Sequence, residues 1–223
     1  MDIPEELFLI LTREVPEGLR LEPDCLKACR EVLSDLATPT DIEAVCIHEV
    51  GHYIYTVAFG IVIGFKEEQI EMHAPRVLHY LENEENKFEP IPGSVESPFK
   101  SDRIRWTPQI VTHLARIAIA GGVFAGKFYN RSEKGTKGDI GLFRTYYRMA
   151  HKELYADAGF LEFNEYLEEA KEFVLAQLET IPLMEQVARQ KAEDYKFNHF
   201  VPFLSHSVRD TKNDEGLRGT QSN

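Results

Sequence analysis

The sequence predicts a mainly α-helical domain with a minor β component, and three observations predict it. Apolar residues recur at helical spacing over several long stretches, prolines and glycines fall where those stretches begin and end, and β-prone runs are short and confined to the first half. At 223 residues, with 43% hydrophobic content and a single tryptophan, the chain has the size and apolar share of one soluble domain with its own core. Residues 1–204 are expected to form that domain.

Residues 1–37 read as an N-terminal extension, with an apolar patch at Leu7, Phe8, Leu9, Ile10 and Leu11 and a helix from Pro23 to Ala37. Thr38-Pro39-Thr40-Asp41 then supplies an N-cap, a proline at the first helical position and an acid that closes a capping box. Ile42, Val45, Cys46, Glu49, Tyr53, Thr56 and Val57 follow at helical spacing, so a helix is expected over about residues 39–59, with Gly60 as its stop. Ile61–Phe65, Gln69–His73 and Val77–Tyr80 have β character and predict a small hairpin or short sheet within residues 61–80. Residues 83–107, with Pro90, Pro92, Gly93 and Pro98, read as a long loop or irregular hairpin. Further helices are expected over Pro108–Tyr129, Asp139–Asp157, Glu162–Leu178 and Pro182–Asn198. Apolar content collapses from Ser205, so residues 205–223 are expected to be a disordered tail. There is no internal repeat.

Composition removes several function classes. The formal charge of −12, with acidic clusters at Glu82–Glu85 and Glu162–Glu172, repels nucleic acid, and no basic stripe with interleaved aromatics offsets it. The acidic runs lack EF-hand spacing and read as solvated faces. No uninterrupted apolar run reaches the 18 or so residues of a membrane span, and no basic segment precedes the N-terminal patch, so no membrane association and a cytoplasmic location are expected. Cys25, Cys29 and Cys46 are odd in number and show no disulfide pattern, as in a reducing compartment; all three are expected to be buried thiols.

The most informative residues are His48-Glu49-Val50-Gly51-His52, an HExxH pattern. On a helix, i and i+4 lie on one face about 6 Å apart, so both imidazoles can reach one metal ion while Glu49, turned by about 100°, faces an adjacent coordination position. A catalytic zinc takes three protein ligands, so a third must come from elsewhere. The extended HExxHxxGxxH pattern is absent, because Tyr55 and Ala58 stand where its glycine and third histidine would be. Glu67, Glu68 and Glu71 are near in sequence but resemble a solvated strand or turn. Asp139 is the better candidate: it follows Gly135-Thr136-Lys137-Gly138 and opens an amphipathic helix with Ile140, Phe143, Tyr147 and Ala150 on one stripe. The plainer role for such an aspartate is an N-cap.

Three segments, Ile47–Tyr53, Ala120-Gly121-Gly122-Val123-Phe124-Ala125-Gly126 and Gly135–Asp139, together resemble the peptidase domain of the FtsH-type ATP-dependent zinc proteases. That family carries HEAGH, GGRxAE and TGAxND in the same order, and the resemblance covers about residues 40–200. It implies a zincin-like helical metalloprotease domain with a short sheet beside the motif helix. It also implies Zn2+ held by His48, His52 and Asp139, with Glu49 as general base in peptide hydrolysis. This chain departs from the family at Val123 and Gly126, where the family has Arg and Glu, and at Gly138, where it has Asn.

The relatives carry an ATPase module, whereas no GxxxxGK[ST] phosphate loop occurs here. A protease of this kind must take unfolded or flexible protein or peptide substrates, or borrow an unfoldase or ATPase partner. The relatives' hexamers extend to this chain only as an expectation of homo-oligomer formation. A substrate strand is expected to add along residues 61–73, and Tyr146, Tyr147, His113 and His79 are candidate oxyanion partners. Two rival readings use the same residues: a catalytically weak or inactive adaptor that binds protein segments, favoured by Val123 and Gly126 and opposed by the intact Glu49, and a hydrolase of another amide or ester.

Overall fold

The computed structural model describes residues 3–131, 136–157 and 159–205. They form mainly α-helix, α1 to α7 and a short helical segment over residues 201–205, with four β-strands in small two-stranded sheets. The chain divides into two compact units, one built from residues 3–45, 73–94 and 194–205 and the other from residues 46–72 and 95–193. Ser205 is still helical, and the expected tail beyond it, residues 206–223, lies outside the described residues.

The first unit contains helices α1 (Glu5–Leu11) and α2 (Pro23–Asp35) and the hairpin of β2 (Arg76–Glu82) with β3 (Glu85–Ile91). Helix α2 has proline at its start, and its buried stripe of Cys25, Ala28, Cys29 and Val32 packs on both hairpin strands. The three cysteines are free and buried. Strands β2 and β3 pair antiparallel from Arg76↔Ile91 to Glu82↔Glu85. The two-residue turn places Asn83 and Glu84 at φ 51° and 67°, the type I′ geometry that matches strand twist. The second strand therefore lies inside the stretch expected to be a long loop or irregular hairpin, and the hairpin is the form it takes up to Ile91. Its signal was weak because Asn83-Glu84 lacks the glycine that usually marks such a turn.

Helix α3 (Pro39–Ile63) passes from the first unit into the second. The capping box forms as its sequence requires: the Asp41 carboxylate accepts from Thr38 N–H at 3.0 Å, and Thr38 Oγ1 accepts from Asp41 N–H at 3.1 Å. The helix runs through Gly60 and ends at Gly64, whose φ of +89° is the left-handed geometry of a helix stop. Ile61–Ile63, expected to be extended, are its last residues. β-Branching is a weak preference, and propagation of the helix from its preceding turns overrides it even though Ile61 and Val62 are exposed. Of the other two runs expected to be extended, Glu71–His73 form strand β1, which pairs with β4 (Ser94–Glu96), and Val77–Tyr80 lie in β2.

In the second unit, α4 (Pro108–Tyr129), α5 (Thr136–Leu154) and α6 (Phe163–Thr180) pack together, followed by α7 (Pro182–His199), which continues into the first unit. Thr107 caps α4 by accepting from Ile110 N–H at 3.3 Å, Pro108 follows it, and Asn130 closes the helix at φ 55°. The core is formed by Phe59, Trp106, Ile110, Val111, Leu114, Phe143 and Tyr166 with small residues between them. α3 and α4 are both long and apolar enough to cross a membrane by length and composition, yet 67% and 56% of their apolar windows are buried inside the protein.

Candidate metal centre

Three elements of the second unit bring the site together. α3 presents His48, Glu49 and His52, each only 7% exposed. Their i, i+4 spacing sets the two rings edge to face with centroids 4.6 Å apart. α5 supplies Asp139 from its first turn rather than from the capping position, because the helix begins at Thr136. Gly135, which the sequence places before this helix, lies outside the described residues.

The donor atoms converge. His48 Nε2 and His52 Nε2 are 3.0 Å apart, and Asp139 Oδ2 lies 3.3 Å from the first and 3.2 Å from the second. A tetrahedral zinc ion with bonds of about 2.0–2.1 Å spaces its donors about 3.3 Å apart, so this triangle is close to one face of that tetrahedron. Asp139 Oδ2 is buried, and neither of its contacts with the imidazoles has hydrogen-bond geometry. Three donor atoms facing one point form an arrangement that a cation, whether a proton or a metal ion, satisfies. Two imidazoles and one carboxylate also match the donor types of zinc, and of other divalent first-row ions. The residues present therefore fit a metal ion.

The surroundings fix the ligands. His52 Nδ1 lies 2.7 Å from the carbonyl oxygen of Ile117 in α4. A carbonyl only accepts, so Nδ1 carries the hydrogen, and Nε2 is the nitrogen left to face the cluster, where it would offer its lone pair to a bound metal ion. Burial opposes a positive charge on His52. The Asp139 carboxylate, with further help from Glu49 and the Ile117 carbonyl, outweighs that and raises its pKa to about 9. Burial likewise opposes the charge on Asp139, but the two imidazoles hold its carboxyl well below the usual carboxylate range. The same basicity that attracts a proton attracts a cation.

Two glycines make room. A Cβ on Gly51 would lie 2.8 Å from the Ala120 oxygen, so α3 and α4 touch along their backbones there. A Cβ on Gly121 would lie 2.7 Å from His48 Nε2 and closer still to His52 Nε2. Sequence reasoning singled out the Gly121-Gly122 pair by resemblance without seeing this contact. The signal lay in the small residues Ala118, Ala120 and Gly121, clustered opposite a motif that itself carries Gly51.

The other candidates have different roles. Glu67 accepts a hydrogen bond from the Tyr53 hydroxyl. Glu68 faces Lys66 Nζ at 3.5 Å on the surface, and Glu71 is exposed in β1. Tyr147 donates to the Leu161 carbonyl at 3.3 Å, Tyr146 packs against Phe99 and Trp106, His113 stacks on Phe59, and His79 pairs with Asn86 Oδ1 at 2.9 Å. Gly138, which stands in the place of the relatives' asparagine, has open space where a Cβ would project. Compared with protein-family models, curated proteins and solved structures, the chain matches none.

Proposed function

We propose that this chain is a zinc-dependent metallopeptidase with a zincin-like domain, a stand-alone divergent relative of the FtsH-type peptidase domains, acting on unfolded or flexible protein segments. One observation carries the reading: His48, His52 and Asp139 converge within 3.0–3.3 Å of one another, beside a buried Glu49 on the same helix.

His48, His52 and Asp139 would hold the ion. Zinc bound there supplies Lewis acidity, which brings the pKa of a water to about 7 and polarises a carbonyl oxygen. Glu49 takes the proton of the attacking water and passes it to the departing amine, so the carboxylate is restored at each turnover. Ile117 keeps His52 in the tautomer that leaves Nε2 unprotonated. The extended segment available for strand addition shortens to β1, since residues 61–63 are helical. The sequence carries no phosphate loop, so substrates arrive already unfolded or are delivered by an unfoldase partner.

The absence of polar side chains at Val123 and Gly126 favours a second reading, an adaptor that binds protein segments without cutting them. Metal analysis of the purified protein, coupled to cleavage of an unfolded dye-labelled protein by wild type and Glu49→Gln, separates the two. Zinc in both proteins with cleavage only by wild type supports the peptidase. Zinc in both with equal residual cleavage, or none, removes the peptidase and leaves the adaptor.

A further inference from the structure

We propose that Gly121 is the back wall of the metal cradle, and that only a hydrogen at this position lets the His48 and His52 rings stand where their Nε2 atoms face Asp139. The inference rests on the metal site proposed above and adds a positioning residue that is not itself a ligand.

Gly121 lies in the middle of α4, fully buried, in ordinary helical backbone. Glycine there weakens a helix relative to alanine, so backbone freedom does not account for it. Space does. A methyl group would sit 2.7 Å from His48 Nε2 and nearer to His52 Nε2, with His48 Cδ2 at 2.8 Å. Those are distances that no methyl group and imidazole can share, so both rings would have to leave the positions in which their Nε2 atoms face Asp139. A side chain at position 121 and the three-donor arrangement thus exclude each other.

The helix cannot withdraw to make room for both. Gly51, on the motif helix, lets α4 approach until its own Cβ position would be 2.8 Å from the Ala120 oxygen and 3.1 Å from Gly121 Cα. The Ile117 carbonyl, one turn earlier in α4, binds His52 Nδ1 at 2.7 Å. Moving α4 back to admit a side chain at position 121 would also pull away the group that orients His52. Gly51, Gly121 and the Ile117 carbonyl therefore act as one close-contact device.

The test is zinc binding by purified full-length wild type, Gly121→Ala and Gly141→Ala, read by calorimetric titration and by the rise in melting temperature on adding zinc. Gly141 is a helical glycine of α5 with open space around its Cβ position, so its variant controls for the extra methyl group alone. Wild type and Gly141→Ala are expected to bind about one zinc per chain, and Gly121→Ala to bind about 100-fold more weakly or not at all. Equal affinity in wild type and Gly121→Ala would overturn the role of Gly121 and leave the metal site standing. No zinc binding by wild type would overturn both. A measurement on wild type alone covers the case in which Gly121→Ala does not fold. In glycine-13Cα-labelled protein loaded with cobalt(II), the Gly121 resonance is expected far outside the diamagnetic range, and an unshifted signal overturns the inference.

Discussion

The carbonyl oxygen of Ile117 accepts a hydrogen bond from His52 Nδ1 at 2.7 Å, which ties the orientation of one imidazole to the backbone of a different helix. His48 Nδ1 is buried and has no such partner among the described residues. Histidine 15N shifts of the zinc-loaded protein should therefore show a protonated Nδ1 and a coordinated Nε2 at His52. A protonated Nε2 on His52 would remove it from the ligand set.

Ligands and general base should separate cleanly. His48→Ala, His52→Ala and Asp139→Ala are expected to lose both bound zinc and turnover. Glu49→Gln is expected to keep zinc while turnover falls by about 10²–10⁴, the range for loss of a general base. Metal content by atomic emission, with rates on the same preparations, checks both halves.

Phe143 lies one helical turn beyond Asp139 on α5, only 1% exposed and stacked on Phe163 with centroids 5.4 Å apart. Phe143→Ala should cost about 3–5 kcal/mol of stability in urea denaturation. It should also weaken zinc binding, because the ring seats the turn that carries the carboxylate. Unchanged zinc affinity in a destabilised variant would show that Asp139 is positioned independently of this packing.

Gly60 is crowded by Phe65: a Cβ there would lie 2.6 Å from the ring and 2.8 Å from the Phe65 backbone oxygen. A ring can rotate, but the carbonyl is held by the helix end. Gly60→Ala should therefore destabilise by about 1–3 kcal/mol, although alanine ordinarily favours a helix interior. Chemical denaturation gives the sign directly.

Burial raises the Cys29 thiol from 9.0 to about 12 and the Tyr55 hydroxyl from 10.0 to about 12. Both stay neutral in the folded chain while unfolding lets them ionise at their ordinary values. Their contribution to stability is complete below about pH 9 and is lost as pH rises toward about 12. The loss is at most about 1.4 kcal/mol per group per pH unit. Urea midpoints at about pH 8 and about pH 10.5 should differ accordingly, and Cys29→Ala should reduce the difference.

Local features were legible in the sequence because their causes are local. The i, i+4 spacing of His48 and His52 dictates a shared helix face, and Thr38 and Asp41 cap the helix through atoms within one turn. The regular register of the hairpin strand at Glu85–Ile91, where only a loop or irregular hairpin was legible, and the true helix end at Gly64 escaped. The turn residues Asn83 and Glu84 reach left-handed geometry without glycine, and Gly60 is held helical by what surrounds it.

The sequence by itself determined a mainly helical chain, a capped motif helix and a pair of imidazoles able to share one cation, since each depends on dihedral preferences and spacing within a few residues. Only the tertiary structure decided which carbonyl orients His52 and why position 121 has no side chain, and it brings Asp139, the acid the sequence had singled out, to within reach of that pair. Those relations join atoms on three helices at separations of 2.7–3.3 Å, and a separation of that size between distant residues is set by packing alone.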